Sequence, residues 1–156
     1  MAPQDSKFAA IYNYRGVDAR LATSGQPTEA QLASIAADGF EVIINLGLHD
    51  DPRYALADEA ATVRALGMTY VHIPVQFGAP TEREASAFFD EMDRHGDRKV
   101  WAHCAANMRV SAFLGLYRVV RQGWSEAEAF ELMDSLWKPN PAWATFISTV
   151  IANHRR

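Results

Sequence analysis

The sequence predicts an α/β fold, with a central, mainly parallel β-sheet of roughly four to five strands flanked by helices on both faces. The first observation behind this prediction is that short, β-branched runs are almost continuously apolar, as strands buried on both faces are. The second is that these runs alternate with helix-like stretches, which indicates right-handed βαβ crossovers. With 156 residues and no linker or repeat, the chain is expected to form one domain.

Three runs predict strands, at residues 41–46 (EVIINL), 69–75 (TYVHIPV) and 99–103 (KVWAH). Helix starts are marked by a Ser or Thr followed three residues later by Gln or Glu, a pairing that satisfies two otherwise unbonded amides. The three pairs are Thr28 with Gln31, Thr81 with Glu84, and Ser125 with Glu128.

Glycines are predicted to end three helices, because glycine adopts a left-handed backbone at the least cost. Gly39 closes the helix that starts at Thr28, and Gly96 closes the helix that starts at Thr81. Gly67 closes another helix at about residues 52–66. The last part of the chain predicts helices only, at residues 110–122, 125–137 and 141–153, with a turn at 139–141.

The composition argues against several classes of partner. The formal net charge is −4 and the Lys and Arg residues form no cluster, so neither a nucleic acid nor an anionic membrane is expected. No apolar run approaches the roughly 20 residues of a membrane span, and the N-terminal residues lack the signal-peptide pattern. A single cysteine forms no internal disulfide, so a cytoplasmic protein is expected, although a removed export signal is also compatible. The sequence does not indicate an oligomeric state.

The one cysteine, Cys104, lies where the strand at 99–103 passes into the helix that begins near Val110. Ligands of parallel sheets gather at the carboxyl ends of the strands, and amides at a helix N-terminus attract anions. The loop is therefore predicted to bind an anion such as phosphate or sulfate. The same amides favour the thiolate of Cys104, and Arg109 supplies a planar fork that holds an oxyanion through two hydrogen bonds.

The loop residues suit this role, because alanines leave room for the backbone to approach an anion and Asn107 enters the left-handed region readily. The predicted anion-binding residues are Ala105, Ala106, Asn107, Met108 and Arg109. Two simpler interpretations stay open. Cys104 would be a buried structural cysteine, or Arg109 would pair with a carboxylate.

These residues resemble the signature of the cysteine-dependent protein tyrosine phosphatases, with His103 before the cysteine, a short loop, Arg109, and Ser111. Four residues separate Cys104 from Arg109, one fewer than in that superfamily's pattern. Such a four-residue interval resembles the bacterial beta-lactamase hydrolase-like phosphatase domain. Three further segments match that domain in order, TSGQPT at 23–28, GFEVIINL at 39–46 and YVHIPV at 70–75, so the resemblance spans about residues 20–125.

The resemblance implies the tyrosine-phosphatase fold and a phosphomonoester substrate, either protein phosphotyrosine or a small phosphorylated molecule. Hydrolysis would proceed through a phosphocysteine intermediate. Cys104 would be the nucleophile, residues 105–109 the phosphate loop, and Arg109 the group that holds the transition state. His103 would support the loop, and Ser111 would stabilise the leaving thiolate. Neither a cofactor nor a metal ion is expected.

The general acid is harder to assign. In related phosphatases an aspartate follows the equivalent of the TYVHIPV strand, but the corresponding residues 76–80 read QFGAP and contain no acid. Asp51 is the preferred substitute, because it follows the carboxyl end of the strand at 41–46. Glu82 and Glu84 are alternatives, and Asp51 would ordinarily be a solvated residue that caps a helix.

Three other functions stay open. Rhodanese-like sulfurtransferases also place four residues between a cysteine and a basic residue, an arrangement that suits a persulfide. The missing acid fits a catalytically weak module that binds phosphate or sulfate without turnover. The third is a zinc site, although its four residues have no recognised ligand spacing. Those residues are His49, His72, His103 and Cys104.

Overall fold

A computed structural model describes residues 6–51 and 55–155, and one five-stranded sheet lies at its centre. The strands are β1 (Arg15–Gly16), β2 (Leu21–Ser24), β3 (Val42–Asn45), β4 (Thr69–His72) and β5 (Val100–His103). Their order across the sheet is β1-β2-β5-β3-β4, and every neighbouring pair is parallel except β1 with β2. The mainly parallel sheet that the sequence predicts is therefore confirmed.

Helices cover both faces of this sheet, as predicted. They are α1 (Glu29–Ala37), α2 (Glu59–Ala65), α3 (Glu82–Arg94), α4 (Met108–Val120), α5 (Glu126–Ala129), α6 (Glu131–Asp134) and α7 (Pro141–His154), and a short 3-10 turn at Ser6–Phe8 precedes them. Along β3, Val42 and Ile44 pack with residues of α3 to α7, whereas Ile43 packs with residues of α1 and α2. This alternation between two cores explains why the strand is apolar without a break.

The predicted helix starts agree with the structure. Thr28 and Thr81 each form a complete capping box, with reciprocal bonds between side chain and backbone. Ser125 also caps its helix, since its hydroxyl accepts a hydrogen bond from the amide three residues later at 3.3 Å. The reciprocal bond to the Ser125 backbone does not form there, so this third box is only half confirmed.

The glycine predictions are confirmed at two positions of three. Gly39 and Gly67 are left-handed, with φ of 93° and 83°. Gly96 is not left-handed, because α3 ends at Arg94 and the helix is closed by His95 at φ −107°. Gly123, at φ 73°, follows α4 in the left-handed conformation instead.

Two predicted helices differ from the observed ones. The helix predicted at 125–137 is divided into α5 and α6 at Phe130, where φ is −101° and ψ is 9°. The Phe130 ring lies so close to Gly115 of α4 that a Cβ there would be 2.3 Å from it, and this packing accompanies the break. The helix predicted from residue 52 starts at Glu59, and residues 52–54 lie outside the described residues.

Strand β2 has no counterpart among the three runs, because its sequence, LATS, is neither long nor strongly apolar. It nevertheless pairs along its whole length with β5 and is central to the site. In the described part of the chain, the helices are too short or too polar to cross a lipid bilayer.

Candidate active site

Cys104 is the first residue after β5, the middle strand of the sheet. The register pairs His103, the last residue of β5, with Ser24 of β2 on one side and Asn45 of β3 on the other. The segments that follow these three strands therefore leave the same edge of the sheet side by side. Cys104 is only 1% exposed and packs at the edge of the larger core, so the alternative of a buried structural cysteine stays open.

Glycines allow the neighbouring segments to approach the Cys104 loop closely. A Cβ at Gly25, after β2, would lie 2.5 Å from the carbonyl oxygen of Ala105, and the Gln26 amide donates to that same oxygen at 3.0 Å. Gly47, after β3, lies on the other side, where a Cβ would be 3.7 Å from the Cα of Cys104. Only glycine fits at position 25, and both segments confine the loop.

Asn107 adopts the left-handed backbone that the sequence predicts, with φ of 66° and ψ of 10°, and it directly precedes α4. Its side-chain amide donates to the carbonyl of Asn13 at 3.0 Å and to the hydroxyl of Thr23 at 2.9 Å. Asn13 is itself left-handed, at φ 49°, and its amide donates back to the carbonyl of Ala106 at 2.9 Å. The turn is thus held by the side chains of Asn107 and Asn13, and sequence reasoning missed Asn13.

Arg109 is the second residue of α4, so the loop closes two residues earlier than predicted, and its side chain is largely buried. One guanidinium nitrogen, Nη1, donates to the carbonyl oxygen of Val75 at 2.7 Å. Within the described residues no carboxylate forms an ion pair with Arg109. The alternative in which Arg109 serves a carboxylate therefore has no support here, and the remaining guanidinium nitrogens are available for an oxyanion.

His103 and Glu59 form a buried pair beneath the loop, and we refer to them as the buried pair. Their side chains are 0% and 1% exposed, and Nε2 of His103 lies 2.5 Å from Oε2 of Glu59. The other carboxylate oxygen accepts a hydrogen bond from the side-chain amide of Gln26 at 2.7 Å. Burial raises the pKa of Glu59, but the charge and hydrogen bond of His103, the hydrogen bond of Gln26 and the charge of His49 together hold that pKa below its usual value.

The hydroxyl of Ser111 is engaged within the loop. It donates to the carbonyl of Met108 at 3.0 Å and accepts from the indole of Trp137 at 3.1 Å. Ser111 is 1% exposed, so its side chain belongs to the packed underside of the site. Its predicted role toward the leaving thiolate stays a prediction.

Three ring side chains cluster on β4 and the segment after β3, and we call this cluster the rim stack: His49, Tyr70 and His72. The two imidazoles lie face to face with centroids 3.7 Å apart. The hydroxyl of Tyr70 accepts from the amide of Asn45 at 3.0 Å and lies 2.7 Å from Nε2 of His49. Burial lowers the pKa of His72, and burial with the charge of Glu59 raises the pKa of Tyr70.

These histidines do not build the zinc site. Among the described residues, no group of three or more His, Cys, Asp or Glu side chains has the geometry to hold a metal ion. Nε2 of His72 is instead within 2.7 Å of the carbonyl oxygen of Gly47, which ties β4 to the segment beside Cys104.

The structure separates the three acids considered for proton transfer. Asp51 is partly buried at the end of the segment that follows β3, the same segment that passes Cys104 at Gly47. Glu84 accepts from the backbone of Thr81 in its capping box at 3.0 Å, and Glu82 accepts from the side chain of Asn153. Asp51 is kept for the role because its segment passes beside Cys104 at Gly47, and that role stays a prediction.

The chain is similar to known phosphatases in sequence. A family model described as a DSP-PTPase phosphatase fused to NAD+ kinase matches residues 6–144. The beta-lactamase hydrolase-like protein of Agrobacterium fabrum is 34% identical over 95 residues, which make up 60% of this chain and 22% of that protein. This chain therefore spans about a fifth of the length of that relative.

Solved structures give the same result. A DUF442 protein of Shewanella putrefaciens CN-32, described as a candidate phosphatase, is 32% identical, with a TM-score of 0.83 over 94% of this chain and 96% of that chain. PTPMT1, solved in complex with PI(5)P, is 14% identical, with a TM-score of 0.77 over 91% and 96% of the two chains. TpbA of Pseudomonas aeruginosa is 16% identical, with a TM-score of 0.72 over 99% and 96%.

The last two similarities show the fold alone, and the first extends over nearly the whole of both chains at higher identity. Together they confirm the predicted tyrosine-phosphatase-like fold and favour neither sulfur transfer nor simple anion binding. The sequence resemblance to beta-lactamase hydrolase-like domains is confirmed as well. The chain belongs to the DSP-PTPase phosphatase family that is named for its fusion to NAD+ kinase.

Proposed function

We propose that this protein is a cysteine-dependent phosphatase that hydrolyses a phosphomonoester through a phosphocysteine intermediate. One observation carries the proposal. Cys104 and Arg109 stand at the two ends of a single confined turn, between the carboxyl end of the middle strand and the N-terminus of a 13-residue helix. A cysteine, a helix N-terminus and an arginine belong to this one turn, and phosphoryl transfer uses this combination of groups.

The chemistry follows from these groups. The Cys104 thiolate attacks phosphorus, the S–P bond forms, and the bond from phosphorus to the leaving oxygen breaks in line. Arg109 and the loop amides neutralise the charge on the three equatorial oxygens. Water then attacks the phosphocysteine, which releases inorganic phosphate and returns the thiolate.

The leaving oxygen needs a proton in the first step, and Asp51 is our proposed donor. Its segment passes beside Cys104 at Gly47 and leaves the same edge of the sheet. In the second step the same carboxylate would take a proton from the attacking water. The substrate would be protein phosphotyrosine or a small phosphorylated molecule.

Hydrolysis of p-nitrophenyl phosphate tests the proposal. The wild-type protein should release p-nitrophenol, and Cys104→Ser should reduce kcat by roughly a thousandfold or more, because a serine hydroxyl is not ionised near neutral pH. Arg109→Lys should reduce kcat/KM strongly, since a point charge replaces a planar fork. Glu29→Gln, an exposed change at the start of α1, is the control. A folded wild-type protein that hydrolyses no member of a broad phosphomonoester panel would contradict the proposal.

A further inference from the structure

The buried pair lies directly behind the residue that carries the proposed chemistry. His103 immediately precedes Cys104, and Nδ1 of its ring is 3.4 Å from the carbonyl oxygen of Cys104. Its other nitrogen, Nε2, is 2.5 Å from the carboxylate of Glu59. Both ring nitrogens of His103 therefore face oxygen atoms that can only accept a hydrogen bond.

This arrangement determines the protonation of the ring. A neutral imidazole carries one N–H, so one of the two acceptors would face a lone pair and remain unpaired inside the protein. An imidazolium donates in both directions, and the Glu59 carboxylate compensates its charge. The hydrogen-bond geometry thus points to His103 as a buried cation, whose Nδ1 faces the carbonyl oxygen of Cys104.

Glu59 also holds the loop by a second route. Its other oxygen accepts from the side chain of Gln26 at 2.7 Å, and the backbone amide of Gln26 donates to the carbonyl of Ala105 at 3.0 Å. One carboxylate therefore links, through two separate intermediaries, to the first two residues of the turn. Glu59 is 2% exposed, so water does not compete for either bond.

We propose that Glu59 is a positioning residue of this active site, which keeps His103 as an imidazolium beneath Cys104 and so favours the thiolate. The inference rests on the proposed role of Cys104 as nucleophile. Glu59 does not touch the substrate in this account. It acts through the charge of His103 and, by way of Gln26, through the shape of the loop.

Several other ionisable groups surround the pair, and all of them remain in place when Glu59 alone is changed. The pair interacts electrostatically with His49 after β3 and with Tyr70 and His72 on β4. Asp58 and Arg64, at the start of α2 and within it, act in turn on Tyr70. A difference in the midpoint of thiolate formation between wild type and a Glu59 variant is therefore due to the Glu59 carboxylate and not to the other charges of the site.

The ultraviolet absorbance of the thiolate, measured against pH, tests the proposal directly, because Cys104 is the only cysteine in the chain. Each protein is compared with the same protein carrying Cys104→Ser, so the difference belongs to one thiol. In Glu59→Gln the shape is kept but the charge is lost, so His103 gives up its proton. The midpoint of thiolate formation should then rise by about one pH unit.

Two variants serve as controls. Glu59→Asp restores the charge at a slightly greater distance, so it should bring the midpoint back toward the wild-type value. Glu29→Gln makes the same change at the same position of another helix, the first residue of α1, and should leave the midpoint unchanged. Gln26→Ala cuts only the second link, and it should lower kcat for p-nitrophenyl phosphate without moving the midpoint.

His103→Gln keeps the test decisive if Glu59→Gln does not fold. It removes the cation itself, so the midpoint should rise as in Glu59→Gln, and the double variant should show no further increase. A wild-type midpoint in folded Glu59→Gln or in His103→Gln would overturn the inference. The absorbance needs no turnover, so a shifted midpoint in a protein without phosphatase activity would support the role of Glu59 and refute only the proposed function.

Discussion

The buried pair and the rim stack lie at the same edge of the sheet, but their histidines have opposite environments. His103 is fully buried and faces a carboxylate. His49 is exposed, and it lies face to face with His72 at 3.7 Å. A ring with a carboxylate partner holds a positive charge even without water, whereas two stacked imidazoles cannot both be charged without repulsion. The proposed histidine charge therefore lies in the buried pair and not in the stacked imidazoles.

The pKa values agree with this contrast. Burial raises the pKa of Glu59, but its neighbours, with His103 foremost, together hold that pKa below its usual value. The pKa of His72 is lowered, first by burial and also by the charges of His49 and His103. Burial disfavours the charged form in both regions. This effect prevails at His72, whereas at Glu59 the neighbouring groups outweigh it.

The largest difference between the two regions should appear in stability. Glu59→Ala removes the carboxylate partner of a buried imidazolium and the hydrogen bonds to His103 and Gln26, so the free energy of unfolding should fall by about 3 kcal/mol. His72→Ala removes a partly exposed ring with one hydrogen bond to Gly47, so about 1 kcal/mol is expected. Urea unfolding at neutral pH measures both, with Glu29→Ala as the exposed control. Equal losses for Glu59→Ala and His72→Ala would remove the distinction between the regions.

Sequence reasoning finds the parts of this site that are local in the chain. The end of the strand at Cys104, the left-handed Asn107 and the position of Arg109 all follow from a single run of residues. Glu59 does not, because its partner His103 is 44 positions away, and the sequence places residue 59 inside a helix rather than at its start. A carboxylate near a helix start usually faces water, so no local pattern marks this one as buried.

The same limit applies to the fold. The sequences of β3 and β5 are mostly apolar, so both strands are predictable. The segment LATS becomes strand β2 because it pairs with β5, and its own sequence does not indicate this. The break between α5 and α6 coincides with the contact of Phe130 with Gly115, which joins two helices. Contacts between distant segments decide these details, and a single sequence does not display them.

Stability should also fall with pH in two separate windows, one for each region. Both His72 and Glu59 have a folded pKa below the ordinary values of 6.5 and 4.5. In each case the unfolded chain binds more protons, so stability decreases as pH falls. For His72 the decrease begins near its unfolded value of 6.5. For Glu59 it begins near 4.5 and continues through its lowered folded pKa.

Two variants separate these windows in urea unfolding at a series of pH values. Relative to His72→Phe, the wild-type protein should lose stability as pH falls from about 6.5, with little further change at lower pH. Relative to Glu59→Gln, the wild-type advantage should shrink as pH falls below about 4.5, where the Glu59 carboxylate takes up a proton. If both differences changed in the same window, the two regions would titrate as one unit.

The smallest expected effect is the one that couples the two regions. The charge of Glu59 raises the pKa of His72, and the charge of His103 lowers it. If His103 is an imidazolium, Glu59→Gln removes both charges of the buried pair, and their effects on His72 largely cancel. The NMR titration of His72 should then stay close to its wild-type midpoint, even though the thiolate midpoint of Cys104 moves. If His103 were neutral, only the carboxylate charge would be lost, and the His72 midpoint would fall. His72 therefore reports the charge of a buried ring that it does not touch.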